Sequence, residues 1–185
     1  MFANELKEST WQVHQALEKR LVSQIKSIGG VDDYVHLLRM MYGFYAPVCD
    51  KLGDFIKHEQ RHAGKILDDI SYFTGSDKYI PINKNLPKIN SYPSALGVMY
   101  VTEGSTLGGV IIAGMISKKL GVSSAQGFSF FNAYGEQTQS RWHRFREILA
   151  GPFTSSEHNE IKESAIATFS SFNEWISEYE PATHK

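Results

Sequence analysis

The chain has 185 residues, 42% of them hydrophobic and 12% aromatic, with 19 basic against 20 acidic side chains. That length supports one well-buried core rather than two, and the near balance of charge, without a long basic run, argues against nucleic acid or an anionic membrane surface as the main partner. A single cysteine, Cys49, excludes an internal disulfide and a cysteine-rich metal site. The polar, acidic start MFANELKEST, with apolar runs well short of about 20 residues, predicts a cytoplasmic protein with no leader and no membrane span.

Hydrophobic spacing is helical throughout, with almost no strict alternation, and predicts a single all-α domain over residues 1–185. The first helix is expected from Asn4, as N-cap, to Lys26, with Leu6, Val13, Leu17 and Leu21 on one stripe before SIGG ends it. The second begins near VDDY, with Asp32 as cap, and carries Tyr34, Leu37, Leu38, Met41, Tyr42, Tyr45, Val48 and Leu52 toward Lys57. Pro47 predicts a kink between Gly43 and Pro47. A polar third helix is expected over His58–Ser71, then a long surface connector, YFTGSDKYIPINKNLPKINSYP. The fourth helix, Ser94–Leu120, is the most apolar, and GVSSAQGFSFFNAYG breaks the chain after it. A fifth follows over Gln137–Leu149, and a sixth opens with a capping box at Ser155 or Ser156 and reaches Ser177. There is no internal repeat and no low-complexity segment.

Within the fourth helix, YVTEGSTLGGVII holds Gly104, Gly108 and Gly109, each costing a helix roughly 1 kcal/mol against alanine. Gly104 and Gly108 share a helical face, Gly97 lies on nearly the same line, and Gly109 widens the gap. Two readings account for them. Either another helix packs closely against the bare backbone, or a flat ligand lies on it, and adjacent glycines also let the helix bend.

On the first helix Lys7, His14 and Glu18 are seven and four residues apart, on one stripe with Thr10. Seven residues span about 10 Å, so an imidazole at His14 can reach the centre of a flat macrocycle while the Lys7 ammonium reaches an acidic group on its rim. Glu18 is placed to orient the imidazole through its second nitrogen. The alternative is a partly buried helix histidine bonded to Glu18, with Lys7 solvated. His36, His58, His62, His143, His158 and His184 carry no ligand pattern, although His58 and His62 have a zinc-compatible spacing without further ligands.

LKESTWQVHQALE resembles the proximal-helix motif of the haem oxygenases, and YVTEGSTLGG resembles the distal-helix motif of their bacterial, phytochrome-associated branch. Their order and separation fit, and the resemblance covers nearly the whole chain, including RWHRF. It implies an all-α haem oxygenase-like fold with haem between a proximal helix and a kinked distal helix. His14 is then the proximal iron ligand, Glu18 the residue hydrogen-bonded behind it, and Lys7 the partner of a haem propionate. Gly104 and Gly108 become the distal glycines. Arg141 and Arg144 are the next cations for the propionates, the alternative being a solvated helix face; Trp142, Phe145 and Leu149 are expected in the core. Ser105 stands where animal members have an aspartate that anchors a water network. Proton delivery is therefore expected from water positioned by backbone carbonyls and by Ser105 or Thr106. The membrane anchor of the animal enzymes is expected to be absent.

The implied activity is monooxygenation of haem, both substrate and cofactor, to biliverdin, carbon monoxide and iron, with Gly104, Ser105 and Gly108 at the catalytic face. Dioxygen and an external reductant such as a ferredoxin or a reductase are the co-reactants, and a bacteriophytochrome is a candidate recipient of the product. A non-catalytic haem-binding protein of the same fold, serving as carrier, store or sensor, is the competing class; a third is the same fold holding another small ligand.

Overall fold

A computed structural model describes residues 2–56, 63–75 and 79–179, and contains no strand among them. His58, His62 and His184 lie outside the described residues. Helix α1 spans Phe2–Ser27 and buries Phe2, Leu6, Thr10, Leu17 and Ile25 along one stripe. It is already running at Phe2, so Asn4 belongs to its first turn rather than capping it.

Helix α2, Val31–Gly53, supplies the most buried side chains of the core, among them Tyr34, Leu38, Phe44, Tyr45 and Val48. Its start is fixed by Asp33 rather than Asp32: the Asp33 carboxylate accepts the backbone N–H groups of Gly29 at 2.8 Å and Gly30 at 3.2 Å. The helix continues through Pro47. Proline has no N–H to give the carbonyl of Gly43, one turn back, and the backbone N–H of Asn83 donates to that oxygen instead, at 2.8 Å. The connector comes this close because Gly43 is bare; a Cβ there would stand 2.5 Å from the Pro81 carbonyl and 2.4 Å from the Trp175 ring.

Helix α3 is Gly64–Thr74 and ends on Gly75 in the left-handed conformation, beyond the expected end at Ser71, while the expected start at His58 lies outside the described residues. The expected fourth helix is two helices, α4 (Tyr92–Gly104) and α5 (Gly109–Leu120), separated by a 3₁₀ turn at Ser105–Gly108. By length and composition Tyr92–Leu120 would suffice to cross a membrane, but the turn interrupts it and 56% of its most apolar window is buried in the protein. A short helix, α6 (Ser129–Asn132), is capped by Asp69, whose carboxylate accepts from the Ser129 and Phe130 backbone at 2.8 and 2.9 Å. A second 3₁₀ turn, Gly135–Gln137, leads into α7, Thr138–Leu149. Helix α8, Ser155–Tyr179, is capped one residue earlier than expected, by Thr154 and Glu157.

Helix α8 is the central plank, packed most extensively on α4 and then on α1, while α2 packs on α3. The approach of α4 to α8 depends on Gly97. A Cβ there would lie 2.4 Å from the Ile161 carbonyl, and the Ser164 hydroxyl beside it donates to Ser94 O at 2.7 Å. Phe145 and Leu149 are buried as expected, whereas Trp142 is half-buried.

Candidate functional site at the glycine turn

Where α4 gives way to the 3₁₀ turn, the α-helical hydrogen-bond ladder is broken and carbonyls need other donors. The Ser105 hydroxyl donates to Thr102 O at 2.7 Å, and the Thr106 hydroxyl to Glu103 O at 2.6 Å. Neighbouring elements hold the turn at three points. The Tyr45 hydroxyl, on a side chain only 2% exposed, lies 3.0 Å from Ser105 Oγ; with the serine's own proton on Thr102 O, the tyrosine donates. The Tyr134 hydroxyl donates to Glu103 Oε2 at 2.9 Å. The Phe131 carbonyl lies so close to Gly109 that a Cβ there would stand 2.0 Å from it.

Gly104 and Gly108 are different. Among the described residues, a Cβ on Gly104 would meet only the Trp142 ring, at 3.4 Å, and one on Gly108 would have no atom within 4 Å. Neither backbone requires glycine, since φ and ψ are −58° and −34° at Gly104 and −92° and −9° at Gly108. Beyond Gly108 at helical spacing stand Ile111, 68% exposed, and Met115, 42% exposed. The bare backbone opens onto free space beside exposed apolar side chains, which leaves room for a flat apolar ring.

On the facing side, Thr10 of α1 lies by Tyr100 of α4, whose phenol is pushed up by burial, with the Thr10 side chain opposing. His14 and Gly104 each follow this contact by four residues, so both lie about 6 Å along their helices from one junction. His14 is exposed, with its ring 5.2 Å from the Phe169 ring and 6.5 Å from that of Trp11. Among the described residues no hydrogen bond joins it to Glu18, so neither the partly buried, Glu18-bonded histidine nor the expected Glu18 bond behind an iron ligand is formed: both side chains are exposed and apart. Glu18 is exposed and lines a surface cleft with Gln15, Lys19 and Val22. Lys7 and Arg144 are exposed; Arg141 is half-buried, its guanidinium 3.9 Å above the Tyr134 ring. No group of three or more His, Cys, Asp and Glu side chains suited to a metal ion occurs among the described residues.

The “Heme oxygenase” family model matches residues 1–178. The chain belongs to the haem oxygenase family. Eighteen chains of solved structure match it, among them “Structure of Heme Oxygenase from Leptospira interrogans”, with a TM-score of 0.76 and 21% identity over 96% of this chain and 98% of that one. At that identity the likeness shows the fold, which is the all-α haem oxygenase fold. No curated protein matches. Membership carries haem as the family's ligand and haem degradation as its general function, and the open face at Gly108, with an exposed imidazole on α1, is an arrangement haem fits.

Tyr45, Glu103 and Tyr134 are the parts of this haem oxygenase family member that the sequence did not single out. Tyr45 reads as one more core position on a helical stripe. Glu103 did carry a signal, being the single charged residue in the whole run from Ser94 to Ser117.

Proposed function

We propose that the protein is a haem oxygenase that opens haem to biliverdin, with release of carbon monoxide and iron. The observation that carries this reading is Gly108: a bare backbone that neither packing nor backbone conformation demands, in a chain of this family. When bound, haem supplies the redox-active iron and is itself the ring that is opened, with dioxygen and electrons from a ferredoxin- or reductase-type donor.

The chain's own residues then divide the work. The imidazole of His14, beside the Phe169 ring, would hold the iron without the strong electron push of a thiolate. Lys7, Arg141 and Arg144 are the cations for the propionates; Arg141 is pre-placed by its stack on Tyr134. Gly104 and Gly108 let the α4–α5 backbone come over the ring. Ser105 replaces an acid with a hydroxyl, and Tyr45 supplies the proton that its oxygen accepts. That pair holds water at the turn and passes protons from it. Glu18 is placed to orient His14 through water. The product is suited to a bacteriophytochrome as acceptor, and the protein works in the cytoplasm.

The test is His14→Ala. It is expected to lose the ferric haem spectrum of the wild type and all turnover, with added imidazole restoring coordination in part; an unchanged spectrum and activity would refute the assignment of the ligand. Wild-type protein given haem, ascorbate and air should lose its Soret band and gain the absorbance of biliverdin. Stable haem binding without that loss would make it a carrier, store or sensor instead.

A further inference from the structure

Glu103 is 8% exposed, the one charge in a long apolar segment, and it sits immediately before Gly104. Burying a carboxylate costs more than burying the leucine that would fill the same space, so its retention calls for a directional contact. That contact is the Tyr134 hydroxyl at 2.9 Å. Tyr134 in turn directly precedes the turn leading into α7, and α7 returns to the same place, with Trp142 against Gly104 and Arg141 stacked on the Tyr134 ring. Glycine-rich 3₁₀ turns are soft. The position of this one over a ligand must therefore be set by its attachments to neighbours.

We propose that Glu103 and Tyr134 are positioning residues: a tether between the end of α4 and the start of α7 that sets the height and tilt of the Gly104–Gly108 turn, and through it which bridge carbon of the ring is opened. The tether rests on the haem-degrading reading above and adds to it a determinant of regiochemistry that touches neither iron nor propionate. Cutting it leaves the ring bound but less uniquely placed.

Tyr134→Phe removes the donor hydroxyl of this bond and keeps the ring, and Glu103→Gln keeps an acceptor for the tyrosine. In haem-free protein, amide exchange at residues 105–109 is expected to quicken about tenfold in Tyr134→Phe, the size expected for losing one hydrogen bond to a charged acceptor. The Trp142 resonance of fluorotryptophan-labelled protein should shift, and Glu103→Gln should stay near wild type in both. With haem bound, wild type should give a single biliverdin isomer, Glu103→Gln the same one, and Tyr134→Phe a mixture. Exchange and Trp142 signals unchanged in Tyr134→Phe would overturn the tether with no haem present, and faster exchange with an unchanged isomer would overturn its role in positioning. Wild-type protein that fails to bind haem would instead defeat the reading of function, which the haem-free comparison does not depend on.

Discussion

Gly97 and Gly108 belong to one apolar segment and lack a side chain for opposite reasons. At Gly97 the space is already taken, by the Ile161 carbonyl and the Ser164 side chain of α8; at Gly108 it is open. Gly109 repeats the first case against Phe131, and Gly104, with Trp142 at ordinary contact distance, lies nearer the second. The contrast teaches that a glycine stripe is not one feature. Packing explains a glycine only where a Cβ would collide with the protein itself, and a left-handed backbone explains Gly75 and Gly121; Gly108 has neither reason.

The comparison breaks most sharply at Gly108→Leu. Leucine outranks glycine in a helix by most of a kcal/mol and meets no protein atom at its Cβ, so thermal unfolding of the haem-free protein should be no easier, while turnover should be abolished. Retained turnover would return Gly108 to the packing class. Gly97→Ala and Gly109→Ala should do the reverse, costing about 1–3 kcal/mol of stability by forcing backbones apart, which denaturant titration would read as a lowered midpoint at unchanged slope. A smaller effect of the opposite sign is expected for Gly108→Ala, stabilised by at most about 1 kcal/mol; a loss of stability there would show a neighbour at that face. The smallest effect lies away from every glycine, at the cap of α8. The Thr154 backbone and hydroxyl hold the Glu157 carboxyl below its ordinary value of 4.5. A lowered folded pKa stabilises at pH above the unfolded value and loses that contribution as pH falls through the folded one. The first turn of α8 should therefore loosen on acidification below about pH 4.5, read from the Thr154 amide, and Thr154→Ala, which keeps the backbone donor and loses the hydroxyl, should weaken the dependence without abolishing it.

Much of the fold is legible in the sequence because periodicity is local. The stripes of α1 and α2, the apolarity of Tyr92–Leu120 and the bend at its glycines are set by neighbouring residues alone. Helix starts were less legible, since Asp33 and Thr154 won the capping contest against Asp32 and Ser155 by geometry that composition does not rank. Pro47 announces an unpaired carbonyl, but that Asn83 fills it depends on where the connector runs. At the site, the stripe Lys7, His14, Glu18 and the glycine pair were readable as a pattern. The division between Gly97 and Gly108 was not, because each 3₁₀ residue adds about 20° to the α-helical step and rotates the residues beyond Ser105 off the line projected from Gly97. Tyr45 and Tyr134 escaped notice because their partners come from other elements.

The place of α8 bears on how the chain is made. The faces of α1 and α4 are both closed by a helix that begins at Ser155, long after α1 ends at Ser27. At ordinary rates of synthesis the ribosome takes on the order of ten seconds to travel between them, and through that time α1 lacks the helix against which it packs most. The α2–α3 and α5–α6 contacts can form earlier, whereas the packing of α1 and α4 on α8 closes last.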